Sequence, residues 1–308
     1  MVSRVAWSGD GIVKIYELPV PEVLRPASQG FIWPPDSNDY NVELDWHHWL
    51  RLGARRDLDF VTDDPDEADW YYWQPYWNRW YWQNPDDRHI PEKMQPYIDE
   101  AVSGREGRVF TIAEYGIAGE HPEWNLDGLV VFTASRRGDT SGIDIPLLLN
   151  EHELRPNVPK QHLASFAGCF INDAVRWHVW DALKDYPDVH FSDRQLGIRD
   201  YTALMQASYI VLAPRGVGVQ SFRFYEAMQA GTVPLLISDI DSRPFKKWVD
   251  WDSCSLYLPS HEGIYEYMNS FSLQELVLLG KNAQRVWYEQ LQYGRWCKYV
   301  IWTLEDMG

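Results

Sequence analysis

Between residues 162 and 237, β-rich runs and helical stretches alternate so regularly that few folds can accommodate them. Strands are predicted at His162–Ala167, Val189–Phe191, Tyr209–Ala213 and Val233–Ile237, with helices at Asn172–Lys184, Arg199–Gln206 and Ser221–Ala230 between them. Such an order needs crossover connections, and therefore a largely parallel, doubly wound sheet with helices on its faces. Asn172 reads as an N-cap, Val175, Val179 and Ala182 as the sheet-facing stripe, and Gly231 as the left-handed residue that ends the third helix. The first half is less regular, with strands at Val13–Tyr16, Phe60–Val61, Trp70–Trp73, Arg108–Ile112 and Gly128–Thr133 between loops rich in Pro and Asp. The polar, two-proline stretch Glu151–Lys160 marks a boundary, so residues 1–160 and 161–308 read as two α/β units. An amphipathic, Trp-containing helical region from Leu273 to Leu304 closes the chain and is long enough to return to the first unit.

With 308 residues the chain can bury two such cores. Its longest apolar runs fall far short of the ~20 residues of a membrane helix. Residues 1–20 lack a signal-peptide pattern, so a cytoplasmic protein with no membrane span is expected. A formal charge of −17 argues against wrapping nucleic acid, which needs a basic face; an anionic ligand must instead meet a local cationic pocket. Cys169, Cys254 and Cys297 form no C-x-x-C pair, which suggests neither a disulfide framework nor a zinc site and fits a reducing compartment.

Such a pocket is suggested by Ala213–Ser221, A-P-R-G-V-G-V-Q-S, which joins a strand to a helix. Gly216 and Gly218 allow backbone N–H groups close to phosphate oxygens, Ser221 begins the helix, and Arg215 or Arg223 can neutralise a diphosphate through forked hydrogen bonds. Guanidinium groups and a helix start together make a metal unnecessary. The loop is neither the dinucleotide fingerprint nor a Walker A loop. Glu226, three residues after Arg223, has two open readings: an intrahelical ion pair, or an acceptor for ribose or sugar hydroxyls.

The segment Trp70–Gln83, W-Y-Y-W-Q-P-Y-W-N-R-W-Y-W-Q, is the other conspicuous feature. Aromatic faces stack on pyranose rings, yet the same spacing suits a buried strand followed by a packed turn of helix. Trp70–Trp73 are assigned to the core. Tyr76, Trp77, Trp80 and Tyr81 are the acceptor-binding candidates, with Arg79 beside them. D-x-D triplets at Asp57–Asp59, Asp239–Asp241 and Asp250–Asp252 are unsurprising in so acidic a chain, the acidic run Asp63–Asp69 reads as a solvated turn, and His47-His48 as solvated loop residues; no metal ligand is predicted.

The run 208–239, S-Y-I-V-L-A-P-R-G-V-G-V-Q-S-F-R-F-Y-E-A-M-Q-A-G-T-V-P-L-L-I-S-D, with R-P-F at Arg243–Phe245 and D-W at Asp250–Trp251, resembles the signature region of exostosin-like glycosyltransferases. Lys14–Pro19, Pro65–Pro75, Phe110–Gly116 and Ala164–Gly168 are similar to further family elements in the same order. The resemblance implies a GT-B fold, two Rossmann-like domains facing each other across a cleft. It also implies inverting transfer from a nucleotide sugar, usually a UDP-sugar, with the donor held mainly by the second domain; with the arginine-and-helix pocket this makes metal-independent transfer to a glycan hydroxyl the expectation. Gly168 then joins Arg215, Gly216, Gly218, Ser221, Arg223 and Glu226 in the nucleotide-sugar site. The family's His-Asp stands here as Ala113-Glu114, which makes Glu114 the candidate base, ahead of Asp144 and Asp10. UDP-xylose is the first donor implied by the family's range, followed by UDP-glucuronic acid, UDP-galactose and UDP-GlcNAc. The membrane anchor of animal and plant members is not expected, and a bacterial or viral cytoplasmic enzyme is. The departure at Glu114 keeps a second reading open, a catalytically silent carbohydrate-binding protein on a nucleotide-binding fold; a metal-dependent transferase of another fold is a third.

Overall fold

A computed structural model describes residues 13–24, 42–54, 60–75, 77, 80, 91–105, 107–114, 124–136, 142–171, 173–192 and 196–308. The first sheet holds β1 (Ile15–Glu17), β2 (Trp70–Tyr72), β3 (Val109–Ala113), β4 (Leu129–Thr133) and β5 (Ile143–Asp144), in that spatial order. The second holds β6 (His162–Ala167), β7 (Val189–Ser192), β8 (Ser208–Pro214), β9 (Val233–Ile237) and β10 (Leu256–Leu258), in the order β10-β9-β8-β6-β7. All strand pairings in both sheets are parallel. Helices α1 (Val42–Ala54) and α2 (Gln95–Val102) accompany the first sheet. Helices α3 (Ala174–Leu183), α4 (Ile198–Gln206) and α5 (Phe222–Gln229) connect strands of the second, and α6 (Ile264–Asn269), α7 (Leu273–Val286) and α8 (Cys297–Met307) follow. This is the α/β architecture with two parallel sheets that the alternation requires.

Burial on both faces explains the unbroken aromatic run of β2. Trp70 and Tyr72 point into one cluster with Trp46, Phe110 and Phe132, while Tyr71 and Trp73 point into another with Ile98, Val109 and Trp124. Period-two alternation thus separates two cores rather than a core from solvent. In the second sheet Ile210 and Leu212 pack on the cluster around Val179 and Leu183, and Ala213 reaches the cluster shared with the first sheet.

Some local expectations move. The N-cap of α3 is Asp173, whose Oδ1 accepts from the Val175 N–H at 2.9 Å; Asn172 lies outside the described residues. His47 and His48 sit on α1 rather than in a loop, because Trp46 and Leu50 give that segment a helical apolar stripe. The closing helical region is broken: α7 runs into a π-helical turn at Trp287–Leu291, and Gly294, at φ +67°, turns the chain into α8. The acidic run forms a 3-10 turn at Pro65–Glu67 capped by Asp64.

The C-terminal segment returns to the first sheet. Asp45 of α1 accepts from the Gly294 N–H at 2.6 Å and the Trp296 indole at 2.8 Å, and the Tyr293 hydroxyl donates to the Leu149 carbonyl at 2.8 Å. Among the described residues no helix is long and apolar enough to cross a membrane. The three cysteines are free thiols, Cys169 exposed and the other two buried.

Candidate functional site

Chain order decides where a ligand meets the second sheet. From β6 the chain goes to β7 on one side and then to β8 on the other, so the strand order reverses between β6 and β8. The two crossovers leave a crevice at the carboxyl ends of these strands, the general position of ligand sites in open α/β sheets. Gly168 follows β6, and Arg215 and Gly216 follow β8. Both turns therefore open onto the switch point.

Three guanidinium groups occupy this end of the sheet. Arg223, the second residue of α5, lies over the Phe166 ring at 4.3 Å and crosses Gly168, where a Cβ would collide with Nη2. Its Nε and Nη1 are buried and hydrogen-bond to nothing among the described residues. Arg176, on α3, is 7% exposed and donates from Nη1 to the Cys169 carbonyl at 2.7 Å and from Nε to the Arg215 carbonyl at 3.1 Å. A Cβ on Gly216 would stand 3.0 Å from its Nη2. Burial, followed by the Arg223 charge, lowers the Arg176 pKa to about 10, so it stays cationic at neutral pH. Arg215 differs: its Nε lies 3.3 Å from Asp173 and its Nη1 is bound by Asp239, so two carboxylates answer its charge.

Glu226 is not the ion-pair partner of Arg223 among the described salt bridges. One of its oxygens lies 3.2 Å from His152 Nε2, and the other accepts the Tyr201 hydroxyl. Burial pushes its carboxyl up, but these contacts and the Arg223 charge outweigh burial and hold it below its ordinary value. Glu226 is thus a fixed carboxylate beside the cationic turn.

Two of the expected close-approach residues face elsewhere. A Cβ on Gly218 would run into Ser135, and the next residue, Val219, donates its N–H to the Arg136 carbonyl at 3.0 Å. Gly218 therefore lets the loop press against the first sheet. Ser221 is the N-cap of α5, 6% exposed with no side-chain cap bond, and lines a gap with Gln220, Tyr225 and Ser242.

On the first sheet, Glu114 directly follows β3 and is 2% exposed. Its Oε2 accepts from the Val42 N–H at 3.2 Å at the start of α1, and its own N–H donates to Glu43 Oε1 at 3.2 Å. Burial raises its pKa to about 7, against the smaller opposing pull of the Val42 bond. Its charge is felt at Tyr293, so it faces the returning C-terminal segment. Asp144 accepts from Nε and Nη2 of Arg136, at 2.9 and 3.0 Å, through both carboxylate oxygens, as a strut between β4 and β5.

The exostosin GT47 domain matches residues 40–263, most of the chain and every residue just described except those of the C-terminal segment. The chain belongs to the exostosin GT47 family. Exostosin-1 of Drosophila melanogaster is 30% identical over 115 residues, 37% of this chain and 15% of the relative. The Exostosin-1 homolog of Caenorhabditis elegans is 33% identical over 90 residues, 29% of this chain and 24% of the relative. The matched region is therefore less than a quarter of the length of either animal exostosin. Among solved structures, Anabaena HepE in complex with UDP and glucose aligns over 96% of this chain and 100% of its own, at 10% identity and a TM-score of 0.40.

Set against the sequence expectations for an exostosin GT47 chain, the structure brings Gly168, Arg215, Gly216, Arg223 and Glu226 to one crevice. It corrects the acceptor candidates Trp77 and Trp80, which are 4% and 6% exposed and packed on Trp124 with their faces covered; the Trp77 indole is spent on Thr111 at 2.7 Å. Tyr76, Arg79, Tyr81 and Asp10 lie outside the described residues. Arg176, Tyr201 and His152 were missed, since Arg176 lies 47 residues before Arg223, and Tyr201 and His152 lie 25 and 74 residues before Glu226, and they meet only through the sheet topology.

Proposed function

We propose that this chain is a nucleotide-sugar-dependent glycosyltransferase that moves a sugar from a UDP-sugar to a glycan hydroxyl. The observation carrying this reading is the cationic crevice at the β6–β8 switch point, with buried, unpartnered donors on Arg223, in a chain of the exostosin family. Departure of a diphosphate concentrates negative charge on the leaving oxygens, and preorganised guanidinium groups stabilise that charge most effectively where water is excluded. Glu226, fixed by His152 and Tyr201, supports recognition of ribose or sugar hydroxyls through its remaining lone pairs.

Inverting transfer requires a base on the acceptor side. Glu114 fits by chemistry, since a carboxyl raised to about 7 is matched to proton abstraction near neutral pH. The charge compensation offered by the arginines supports metal-independent transfer. UDP-xylose is the donor placed first, on the range the resemblance implies. The test is release of UDP from a panel of UDP-sugars, with and without EDTA. Turnover of one donor that survives chelation is expected. Loss of turnover with EDTA would overturn metal independence, and no UDP release or UDP binding at all would overturn the transferase reading.

A further inference from the structure

We infer that Arg176 is a second diphosphate-binding cation, paired with Arg223 across the β6 turn, and that Arg215 serves as a strut for the loop that carries them; this rests on the nucleotide-sugar reading. Two like charges from different helices converge on the same turn. Gly168 makes room for the Arg223 guanidinium and Gly216 for that of Arg176, so both glycines serve cations directly and any phosphate through them. Arg176 spends Nε and Nη1 on two carbonyls, Arg215 O and Cys169 O, and its Nη2 hydrogen-bonds to no described residue. Arg223 leaves Nε and Nη1 without partners. Among the described salt bridges neither guanidinium has a carboxylate at ion-pair distance, although the charges of Asp173 and Glu226 are felt at Arg176 and Arg223 from farther off, whereas Arg215 has two such carboxylates.

Burying unpartnered charged donors beside a like charge is costly, and an anion bound between them removes both penalties at once. Nη2 of Arg176 and the open nitrogens of Arg223, reaching the turn from two different helices, suit a pyrophosphate, which offers oxygens on two phosphorus centres. Arg215 Nε is also buried without a hydrogen bond, but the carboxylates of Asp173 and Asp239 at ion-pair distance answer its charge and would repel a phosphate placed against it. Its carbonyl, held by Arg176, still fixes the Arg215-Gly216 turn at the mouth of the crevice.

The experiment is calorimetric titration of the full chain with UDP and, separately, with uridine, for wild type, Arg176→Gln and Arg176→Lys, each checked for an unchanged melting profile. The wild type is expected to prefer UDP over uridine. In Arg176→Gln, UDP affinity falls at least tenfold while uridine affinity holds, so the preference collapses; Arg176→Lys restores part of it. A wild-type UDP-to-uridine ratio in Arg176→Gln overturns the inference, as does an equal loss of both ligands, which marks Arg176 as a purely structural tie. A wild type that binds neither overturns the underlying nucleotide-sugar reading instead.

Discussion

Glu114 shows how one side chain can carry two separable consequences. Its folded pKa of about 7 lies above the ordinary 4.5, so between those values the folded chain keeps a proton that the unfolded chain releases. The stabilising contribution of the neutral carboxyl is complete below pH 4.5 and is lost as pH rises through about 7, on the order of 3 kcal/mol over a shift of this size. Glu114→Gln keeps an acceptor for the Val42 N–H but cannot ionise. Relative to wild type, its stability in urea melts should therefore rise by about 3 kcal/mol between pH 4 and pH 8; a difference that does not vary with pH would refute the buried-carboxyl picture. If Glu114 is also the base, wild-type turnover climbs with pH through about 7 and the Gln variant loses about 10²-fold or more. Gly168 gives a second prediction. At φ +146° and with Arg223 across it, Gly168→Ala strains the turn and displaces the guanidinium. UDP affinity should drop roughly tenfold by calorimetry, the scale of one charge-assisted hydrogen bond.

At the scale of elements, packing can reverse a propensity argument. Gly280 lies inside α7, where exchange for Ala would by helix propensity alone stabilise by about 1 kcal/mol. A Cβ there would stand 2.6 Å from the Gly231 carbonyl oxygen and 3.2 Å from its carbon. That neighbour is backbone, at a residue held at φ +70° between α5 and β9, so it cannot swing aside as a side chain could. Gly280→Ala should accordingly destabilise, by about 1–3 kcal/mol in chemical denaturation; a more stable variant would show that α7 rides loosely on the sheet. The same contrast explains what could be read in advance. His162–Ala167 and Val233–Ile237 are found at their predicted bounds, since buried parallel strands are continuous apolar runs closed by glycine and polar residues. β5 and β10, two and three residues long, lack enough periodicity to be seen. In the site, Arg215, Gly216 and Arg223 were visible because they are local to one loop. Arg176 was not, because its place depends on β6 and β8 becoming neighbours. Trp77 and Trp80 misled because an aromatic spacing that suits a sugar platform equally suits a core.

Across the whole molecule, the two sheets share one hydrophobic cluster. Trp46, Trp70 and Phe110 of the first and Phe224, Tyr225 and Met228 beside the second meet Trp287, Trp296 and Ile301 of the C-terminal segment. The tie that orients this segment is Asp45, bound to the Gly294 N–H and to the indole of Trp296, a side chain with no exposed surface. Asp45→Ala would strand a buried indole N–H and lose two bonds to a carboxylate, a cost of about 2–4 kcal/mol after the gain from removing a buried charge. Because the cluster is common to both sheets, that loss should not be confined to the first. Calorimetry should show a single transition lowered by roughly 5–10 °C, with near-ultraviolet dichroism melting at the same temperature. Asp45→Asn, which preserves an acceptor for the indole, should fall between this variant and wild type. Two separated transitions, with the upper one unmoved by the substitution, would mean that the second sheet holds its fold without the first and that the shared cluster does not couple them.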